Sequence, residues 1–158
     1  MSEQTASFAA GCFWGIEARF REVVGVLDAV SGYMGGHTQN PSYQDICRGD
    51  TGHAEAVQVS FEDGQVSFDE LLDLFFDLHN PTTLNRQGPD FGSQYRSAVF
   101  WHNDEQRAAA EQKIGEVNAS GKWPGPVVTQ LAKAPEFWRA EECHQRYFEK
   151  NGASHCKV

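Results

Sequence analysis

The amino-acid sequence predicts a single domain in which helices pack against a mixed β-sheet. Its 158 residues are the length of one ordinary domain and can bury a sizeable core. Predicted strands and helices interleave along the chain, which is the pattern of a sheet covered by helices. No internal repeat and no proline- or serine-rich linker divides the sequence. We therefore expect one domain over residues 1–158, with a flexible tail from about residue 150 to residue 158.

Each element is predicted from the spacing of apolar residues, from caps and from turn residues. Phe13, Ile16 and Phe20 recur at helical spacing, and Ser67 with Glu70 forms a capping box that opens another helix. Two stretches rich in Gly, Pro, Asn and Asp predict long loops, which in compact domains are usually functional or disordered. In chain order we predict a strand at 6–10, a helix at 13–24, a strand at 26–33, a loop at 34–52, a strand at 53–61, a helix at 67–80, a loop at 81–94, a strand at 95–101, a helix at 103–120, a strand at 126–134 and a helix at 136–151.

Composition argues against several classes of protein. Hydrophobic residues make up 40% of the chain and charged residues 22%, as in a soluble globular protein. The formal net charge of −9 argues against a nucleic-acid partner, because the phosphate backbone attracts basic surfaces. No run approaches the ~20 apolar residues of a membrane span, and the first residues lack the pattern of a secretion signal. We expect a cytoplasmic protein with no nucleic-acid partner and no membrane partner.

The cysteines are few and widely spaced. They are Cys12, Cys47, Cys143 and Cys156, and no two of them form a C-x-x-C pair. Such a chain is not a disulfide-dense scaffold. We expect these thiols to be reduced at rest, so that any disulfide among them is transient and part of the chemistry.

The stretch GCFWG marks Cys12 as a candidate nucleophile. Cys12 stands at the junction of a predicted strand and a predicted helix, with glycines at positions 11 and 15. The first turn of a helix offers unpaired amide donors and the positive end of the dipole, which lower the pKa of a cysteine from about 8.5. Phe13 and Trp14 would supply an apolar wall beside the sulfur. The alternative is an inert cysteine buried among core aromatics.

Glu55 is a candidate acid. On the strand predicted over 53–61, His53, Glu55, Val57 and Phe61 share one face, and the apolar residues identify that face as buried. A carboxyl group placed there loses hydration, so its pKa is expected to rise. A carboxylic acid that stays neutral can donate a proton to a substrate oxygen. The alternatives are that Glu55 reaches solvent or pairs with Arg48 or His53.

Further candidates lie in the loops and the tail. Tyr43 lies in the first long loop, Asp90 in the second, and Tyr95 at the junction of the second loop with a strand. Phenol hydroxyls at such junctions often cap backbone groups and nothing more. The thiol of Cys156, near the end of the predicted tail, could reach a distant nucleophile or could be incidental.

Five motifs together resemble those of the A-class peptide methionine sulfoxide reductases. The motifs are GCFWG, GYMGG, YQDICRGDTGHAEAV, HNPTTLNRQGPDFGSQYRS and GKWPGPVVTQ, and the likeness runs from about residue 7 to residue 148. The resemblance implies an α+β fold, a single two-layer domain, that reduces the S epimer of methionine sulfoxide, free or in oxidised proteins. It implies no bound cofactor and no metal, with thioredoxin or another dithiol as the external reductant.

The resemblance also assigns roles to individual residues. Cys12 matches the nucleophile, and Phe13 and Trp14 match the pocket for the substrate methyl group. Glu55 matches the acid. The remaining matches are Tyr43 and Tyr95 as its partners at the sulfoxide oxygen, Asp90 as a polar residue of the pocket, and Cys47 as a packing residue.

Recycling requires a second thiol, which condenses with the sulfenic acid formed on Cys12. We expect Cys156 to be this resolving cysteine, because a flexible tail can bring its thiol to Cys12. Cys143 is a second candidate, since it stands where the family more often has Tyr. We expect it on the last predicted helix, where a fixed backbone must already lie close to Cys12 or be excluded.

Two other functions are compatible with isolated features of the sequence. Cys12 with His53 or His144 could form an acyl-transfer hydrolase, which would turn over without a reductant. Alternatively, the side chains of Cys143, His144, His155 and Cys156 could bind a metal ion, although their spacing fits no common zinc pattern.

Overall fold

The computed structural model describes residues 3–147, which form eight strands, four helices and two 3-10 turns. In chain order they are β1 (Glu3–Ala10), α1 (Phe13–Arg21), β2 (Val26–Met34), α2 (Tyr43–Arg48), β3 (Ala54–Glu62), α3 (Phe68–Leu78), β4 (Arg86–Gln87), β5 (Asp90–Phe91), a 3-10 turn (Ser93–Tyr95), β6 (Ser97–Trp101), α4 (Asp104–Ala119), β7 (Gln130–Lys133), β8 (Trp138–Arg139) and a second 3-10 turn (Glu142–His144). The predicted tail and Cys156 lie outside the described residues.

Six strands form one mixed sheet in the order β7-β6-β1-β3-β2-β8. All neighbouring pairs are antiparallel except β6 and β7, which run parallel. Strands β4 and β5 form a separate antiparallel hairpin. The prediction of a single α+β domain with a mixed sheet is confirmed.

The main core lies between the sheet and the helices. Phe8 of β1 is fully buried, and its ring lies 5.0 Å from that of Phe20 in α1 and 5.3 Å from that of Phe75 in α3. The opposite face of the sheet carries four buried alanines together with Met34 and Phe100. It is covered by the segment that precedes β8, in which the ring of Phe137 packs against Gly32. The helices therefore occupy one face of the sheet.

Caps explain where the longer helices begin. The predicted capping box opens α3, since Ser67 Oγ accepts the Glu70 N–H at 3.0 Å while Glu70 accepts the Ser67 N–H at 3.2 Å. Asn103 caps α4 by accepting the N–H of Gln106 at 2.9 Å. Both caps lie where the sequence predicts that a helix begins, at residues 67 and 103.

The first long loop contains a helix that the sequence analysis missed. Helix α2 occupies six residues of the predicted loop 34–52. Ser42 and Asp45 form its capping box, and Gly49 ends it with a left-handed φ of 80°. The Gly, Pro and Asp content that predicts a loop also supplies the caps of a short helix.

The helix predicted over 136–151 is wrong between residues 136 and 146. Residues Trp138–Arg139 pair with β2 instead, and Arg146 adopts a left-handed φ of 54°. The Gln145 side chain continues the pairing: its Oε1 accepts the Ser31 N–H at 2.9 Å and its Nε2 donates to the Ser31 carbonyl at 2.8 Å. These bonds to β2 override the helical preference of the segment.

A buried histidine makes the stability of this fold dependent on pH. The Nδ1 atom of His79 lies 2.7 Å from the Phe75 carbonyl oxygen and Nε2 lies 2.7 Å from Ser97 Oγ. Burial lowers the pKa of His79 from 6.5 to about 4. As the pH falls from about 6.5 to about 4, His79 binds a proton in the unfolded chain but stays neutral in the folded chain. The free energy of unfolding should therefore fall by about 1.4 kcal/mol per pH unit in this window.

Urea unfolding between pH 7.5 and pH 4.5 tests this dependence. In His79→Gln, which cannot titrate, the slope should drop by most of that amount, and His37→Gln serves as the control because His37 is exposed. An unchanged slope in His79→Gln would contradict the prediction.

Candidate active site

Cys12 lies at the start of α1, as the sequence predicts. It is the N-cap residue of this helix, is half-buried, and makes no side-chain capping bond. Gly11 turns the chain before it with a φ of 96°, and a Cβ at this position would lie 2.8 Å from Gln87 Cγ. Glycine is therefore required at position 11 by conformation and by space. The amides and dipole of the helix N-terminus favour the thiolate of a cysteine at this place.

Glu55 is buried beside Cys12. It is the second residue of β3, is 1% exposed, and its Oε1 accepts the N–H of Phe13 at 3.2 Å. The predicted inward orientation is therefore correct. Neither alternative partner reaches it, since Arg48 pairs with Asp45 at 2.6 Å and the ring nitrogens of His53 lie against backbone groups of residues 36 and 38. His53 precedes the strand and belongs to the loop packing.

Two tyrosines surround the carboxyl group. Tyr43 is the first residue of α2, and Tyr95 lies in the 3-10 turn before β6 rather than in the strand. Burial raises the pKa of both phenols, and ionisation of Glu55 would raise it further. Both hydroxyls therefore stay protonated at neutral pH and can donate hydrogen bonds.

Asp90 and Cys47 lie in the same region. Asp90 is half-buried on β5, and its charge adds to the rise in the pKa of Tyr95, as does the charge of Cys12. Cys47 is exposed, and its thiol, one helical turn after Tyr43, contributes to the rise in the pKa of the Tyr43 phenol. The fold thus assembles residues from α1, α2, β3, β5 and the 3-10 turn at one end of the sheet.

An aromatic cluster adjoins the nucleophile. Phe13 is 1% exposed and Trp14 is 3% exposed. The ring of Tyr43 lies 6.3 Å from that of Phe13 and 6.1 Å from that of Trp14. Tyr147 stacks on the indole of Trp14 at 3.8 Å with an interplanar angle of 9°. These rings form the apolar wall beside Cys12 that the sequence predicts.

His144 also belongs to the site. The sequence suggests it only as a partner of Cys12 in a hydrolase or as a metal ligand. Its Nδ1 accepts the indole N–H of Trp14 at 3.0 Å, and its ring lies 4.3 Å from that of Tyr43. Burial lowers the pKa of His144, which keeps the ring neutral and Nδ1 able to accept. Glu141 joins the same C-terminal segment to β2 and α2, because it accepts the Tyr33 hydroxyl and the Tyr43 N–H, each at 2.9 Å.

Glu17 and Arg96 bind backbone groups of segments that lie next to the site. Glu17 is 1% exposed, accepts the Arg146 N–H at 2.9 Å and pairs with Arg21 at 2.7 Å. Arg96 donates to the carbonyls of Gly52 and Ser93, each at 2.9 Å. The bonds from Glu17 to Arg146 and from Arg96 to Gly52 join residues far apart in the chain, which periodicity cannot reveal. The available signal in the sequence is an unexplained charge in an apolar helical pattern, such as Glu17 in α1.

Cys143 does not lie on a helix as predicted. It is exposed on the 3-10 turn, while its neighbour His144 is buried against Trp14. Successive residues of a 3-10 helix diverge by a third of a turn, so Cys143 is directed away from the aromatic cluster.

Comparison with known proteins assigns the family. A model of peptide methionine sulfoxide reductase matches residues 4–158. The chain belongs to this family. A reductase named MsrA from Acidobacterium capsulatum is 52% identical over 153 residues, covering 97% of this chain and 98% of the relative. Mxr1 from Saccharomyces cerevisiae in reduced form has a TM-score of 0.90 and 36% identity, covering 97% of this chain and 88% of that chain.

A further structure of a peptide methionine sulfoxide reductase contains a partner. Mxr1 from Saccharomyces cerevisiae in complex with Trx2 matches 92% of this chain and 84% of that chain, with a TM-score of 0.65 and 28% identity.

The described part of this reductase contains neither a membrane-spanning helix nor a cluster of metal ligands. Between residues 3 and 147, no helix has the length and the apolar character needed to cross a bilayer. Within the same range, His, Cys, Asp and Glu side chains form no group of three that could hold a metal ion. Two of the residues considered for a metal site, His155 and Cys156, lie outside this range.

Proposed function

We propose that this chain reduces the S epimer of methionine sulfoxide to methionine, both as the free amino acid and in oxidised proteins. The observation that carries the proposal is the contact between the nucleophile's own helix and the buried acid, in which the Phe13 N–H donates to Glu55 Oε1 at 3.2 Å. This bond places a carboxyl group next to the residue that follows Cys12. Membership in the reductase family supports the same reaction.

The substrate sulfur carries an oxygen, a methyl group and a longer carbon chain, and each meets different residues. Glu55, Tyr43 and Tyr95 bind the oxygen, and Glu55 donates a proton to it. Phe13 and Trp14 contact the methyl group, and Asp90 supplies polar contact at the rim. The remaining direction from the sulfur faces Cys12.

The chemical step transfers the oxygen from the substrate to Cys12. The thiolate attacks the sulfoxide sulfur while Glu55 protonates the oxygen, and collapse of this adduct yields methionine and a sulfenic acid on Cys12. Burial favours the neutral form of a carboxyl group. A neutral carboxyl accepts from the Phe13 N–H on one oxygen and donates from the other.

Recycling proceeds through a disulfide between Cys12 and Cys156. The Cys156 thiol condenses with the sulfenic acid and releases water, and an external dithiol then reduces the disulfide. Tyr147 stacks on Trp14, two residues from Cys12, and a chain of nine residues spans up to about 30 Å. The sequence between Tyr147 and Cys156 is therefore long enough to return to the nucleophile.

Thioredoxin is the reductant that we propose, and the cytoplasm is the proposed location. The structure of Mxr1 with Trx2 supports the reductant. The few, widely spaced cysteines support a reducing compartment. Thiolate attack, proton transfer and disulfide exchange need no bound cofactor and no metal ion.

Methionine release from separated sulfoxide epimers tests this function. With thioredoxin and its reductase, the S epimer should be consumed and the R epimer left. Exchange of two substituents would place the oxygen against Trp14 and the methyl group against Glu55, and each unpaired buried polar group costs ~1–3 kcal/mol. Equal rates for the two epimers would contradict the pocket, and the absence of methionine from both would contradict the function.

Cys156→Ser tests the recycling step. The variant should release the first equivalent of methionine at the wild-type rate but lose turnover with thioredoxin, while dithiothreitol should restore turnover. Cys143→Ser is the matched control and should keep thioredoxin-driven turnover. Peptide mapping that finds a Cys12–Cys143 disulfide, with full turnover in Cys156→Ser, would assign the resolving role to Cys143.

A further inference from the structure

The hairpin formed by β4 and β5 borders the active site with one of its two faces. Residues directly opposite each other in a ladder share a face, so Gln87 and Asp90 form one face and Arg86 and Phe91 the other. Gln87 packs against Gly11 immediately before the nucleophile, and the charge of Asp90 reaches Tyr95. Arg86 and Phe91 lie on the outer side of the same two-stranded ladder.

This outer face is held in place and is exposed. The Gln87 side chain fixes the hairpin, accepting the Asn80 N–H and donating to the Asn80 carbonyl, each at 2.8 Å. The guanidinium of Arg86 lies 4.6 Å from the centre of the Phe91 ring and also donates to the Gly88 carbonyl at 3.0 Å. Phe91 nevertheless leaves 67% of its surface exposed. A large apolar ring is therefore presented to solvent in a fixed orientation.

Two exposed apolar side chains lie at the hairpin and the turn before it. Within residues 3–147, four large apolar side chains are strongly exposed, and two of them, Phe91 at 67% and Leu84 at 71%, belong to the hairpin and the turn before it. The other two, Val24 and Leu27, lie beyond the opposite end of α1 from Cys12. We call Leu84, Arg86 and Phe91 the hairpin patch.

We propose that the hairpin patch binds the polypeptide on either side of an oxidised methionine, by contact with an apolar side chain two or three residues from the sulfoxide. This inference rests on the proposed function. An extended peptide rises about 3.3 Å per residue, so such a residue lies about 7–10 Å along the chain from the residue in the site. Gln87 of the hairpin lies against Gly11, one residue before the nucleophile, so a peptide segment of this length that starts at the site can run along the hairpin that carries Phe91.

The location of the patch favours the substrate over the reductant as its occupant. Gln87 and Asp90 join the patch directly to the site in which the sulfoxide binds before any disulfide exists. The guanidinium of Arg86 places a local positive charge beside the Phe91 ring, which suits a segment that carries an apolar residue next to an acidic one.

Two synthetic peptides and one small substrate provide the test, with dithiothreitol as the reductant. The peptides carry methionine sulfoxide flanked two residues away by Leu in one and by Ser in the other, and the small substrate is N-acetyl-methionine sulfoxide. Wild-type enzyme should have a kcat/KM for the Leu peptide that is five- to thirtyfold higher than for the Ser peptide, equivalent to about 1–2 kcal/mol. The double variant Leu84→Ala/Phe91→Ala should lose this preference and reduce the small substrate within twofold of wild type.

Matched controls separate the possible outcomes. Val24→Ala/Leu27→Ala removes the same kind of exposed surface at the far end of α1 and should retain the preference, and Phe91→Leu should retain most of it. An unchanged preference in the double variant, or an equal loss on all three substrates, would overturn the proposal. A loss that occurs with thioredoxin but not with dithiothreitol would assign the patch to the reductant and also overturn it. Failure of wild-type enzyme to reduce any of the three would instead contradict the proposed function.

Discussion

Cys12→Ser is expected to abolish methionine release while leaving the fold intact. A serine hydroxyl does not ionise near neutral pH and does not form a sulfenic acid, so both the attack on sulfur and the recycling disulfide are lost. The fold should survive because Cys12 is a half-buried N-cap residue whose side chain makes no capping bond. Serine is among the preferred N-cap residues, so the melting temperature should stay the same or rise.

A single-turnover assay without reductant distinguishes the nucleophile from the other thiols. Wild-type enzyme and Cys143→Ser should each release close to one equivalent of methionine, and Cys12→Ser should release none. Release of one equivalent by Cys12→Ser would mean that another thiol attacks the sulfoxide.

Glu55→Gln should slow the chemical step by ~10²–10⁴-fold, the usual contribution of general acid catalysis. Glutamine has nearly the same shape and can still accept the Phe13 N–H that Glu55 accepts at 3.2 Å. It has no proton to transfer, so the oxygen must leave without protonation by this side chain. Because Glu55 is 1% exposed, water does not readily take its place.

Glu62→Gln is the matched control, since Glu62 ends the same strand at its opposite terminus. Its single-turnover rate should remain within twofold of wild type. If Glu55→Gln also stayed within twofold, Glu55 would be a structural residue and the proton donor would have to be sought among Tyr43 and Tyr95.

The features that were predictable from the sequence depend on neighbouring residues in the chain. Alternation along β3 predicted the burial of Glu55, and the pair Ser67 and Glu70 predicted the start of α3. In both cases the information lies within a few residues, because strand faces and helix caps are local geometry.

The features that were missed depend on contacts across the chain. The helix predicted over 136–151 has a helical composition, but Gln145 bonds Ser31, 114 residues earlier, and His144 bonds Trp14, 130 residues earlier. No local pattern indicates these partners. No local pattern indicates the partner of Glu17 either. This side chain accepts the Arg146 N–H and so joins the two ends of the described chain.

The contacts of Trp14 make this indole an optical probe of the C-terminal segment. Its N–H is bound to His144, and its ring is covered by Tyr147 at 3.8 Å. Indole emission responds to hydrogen bonding and to stacked neighbours, so the fluorescence of Trp14 depends on whether residues 144–147 are in place. The chain contains four tryptophans in all. With Trp101, Trp123 and Trp138 replaced by phenylalanine, the emission that remains comes from Trp14. Its intensity and wavelength would report, without any added label, whether residues 144–147 are bound against the indole.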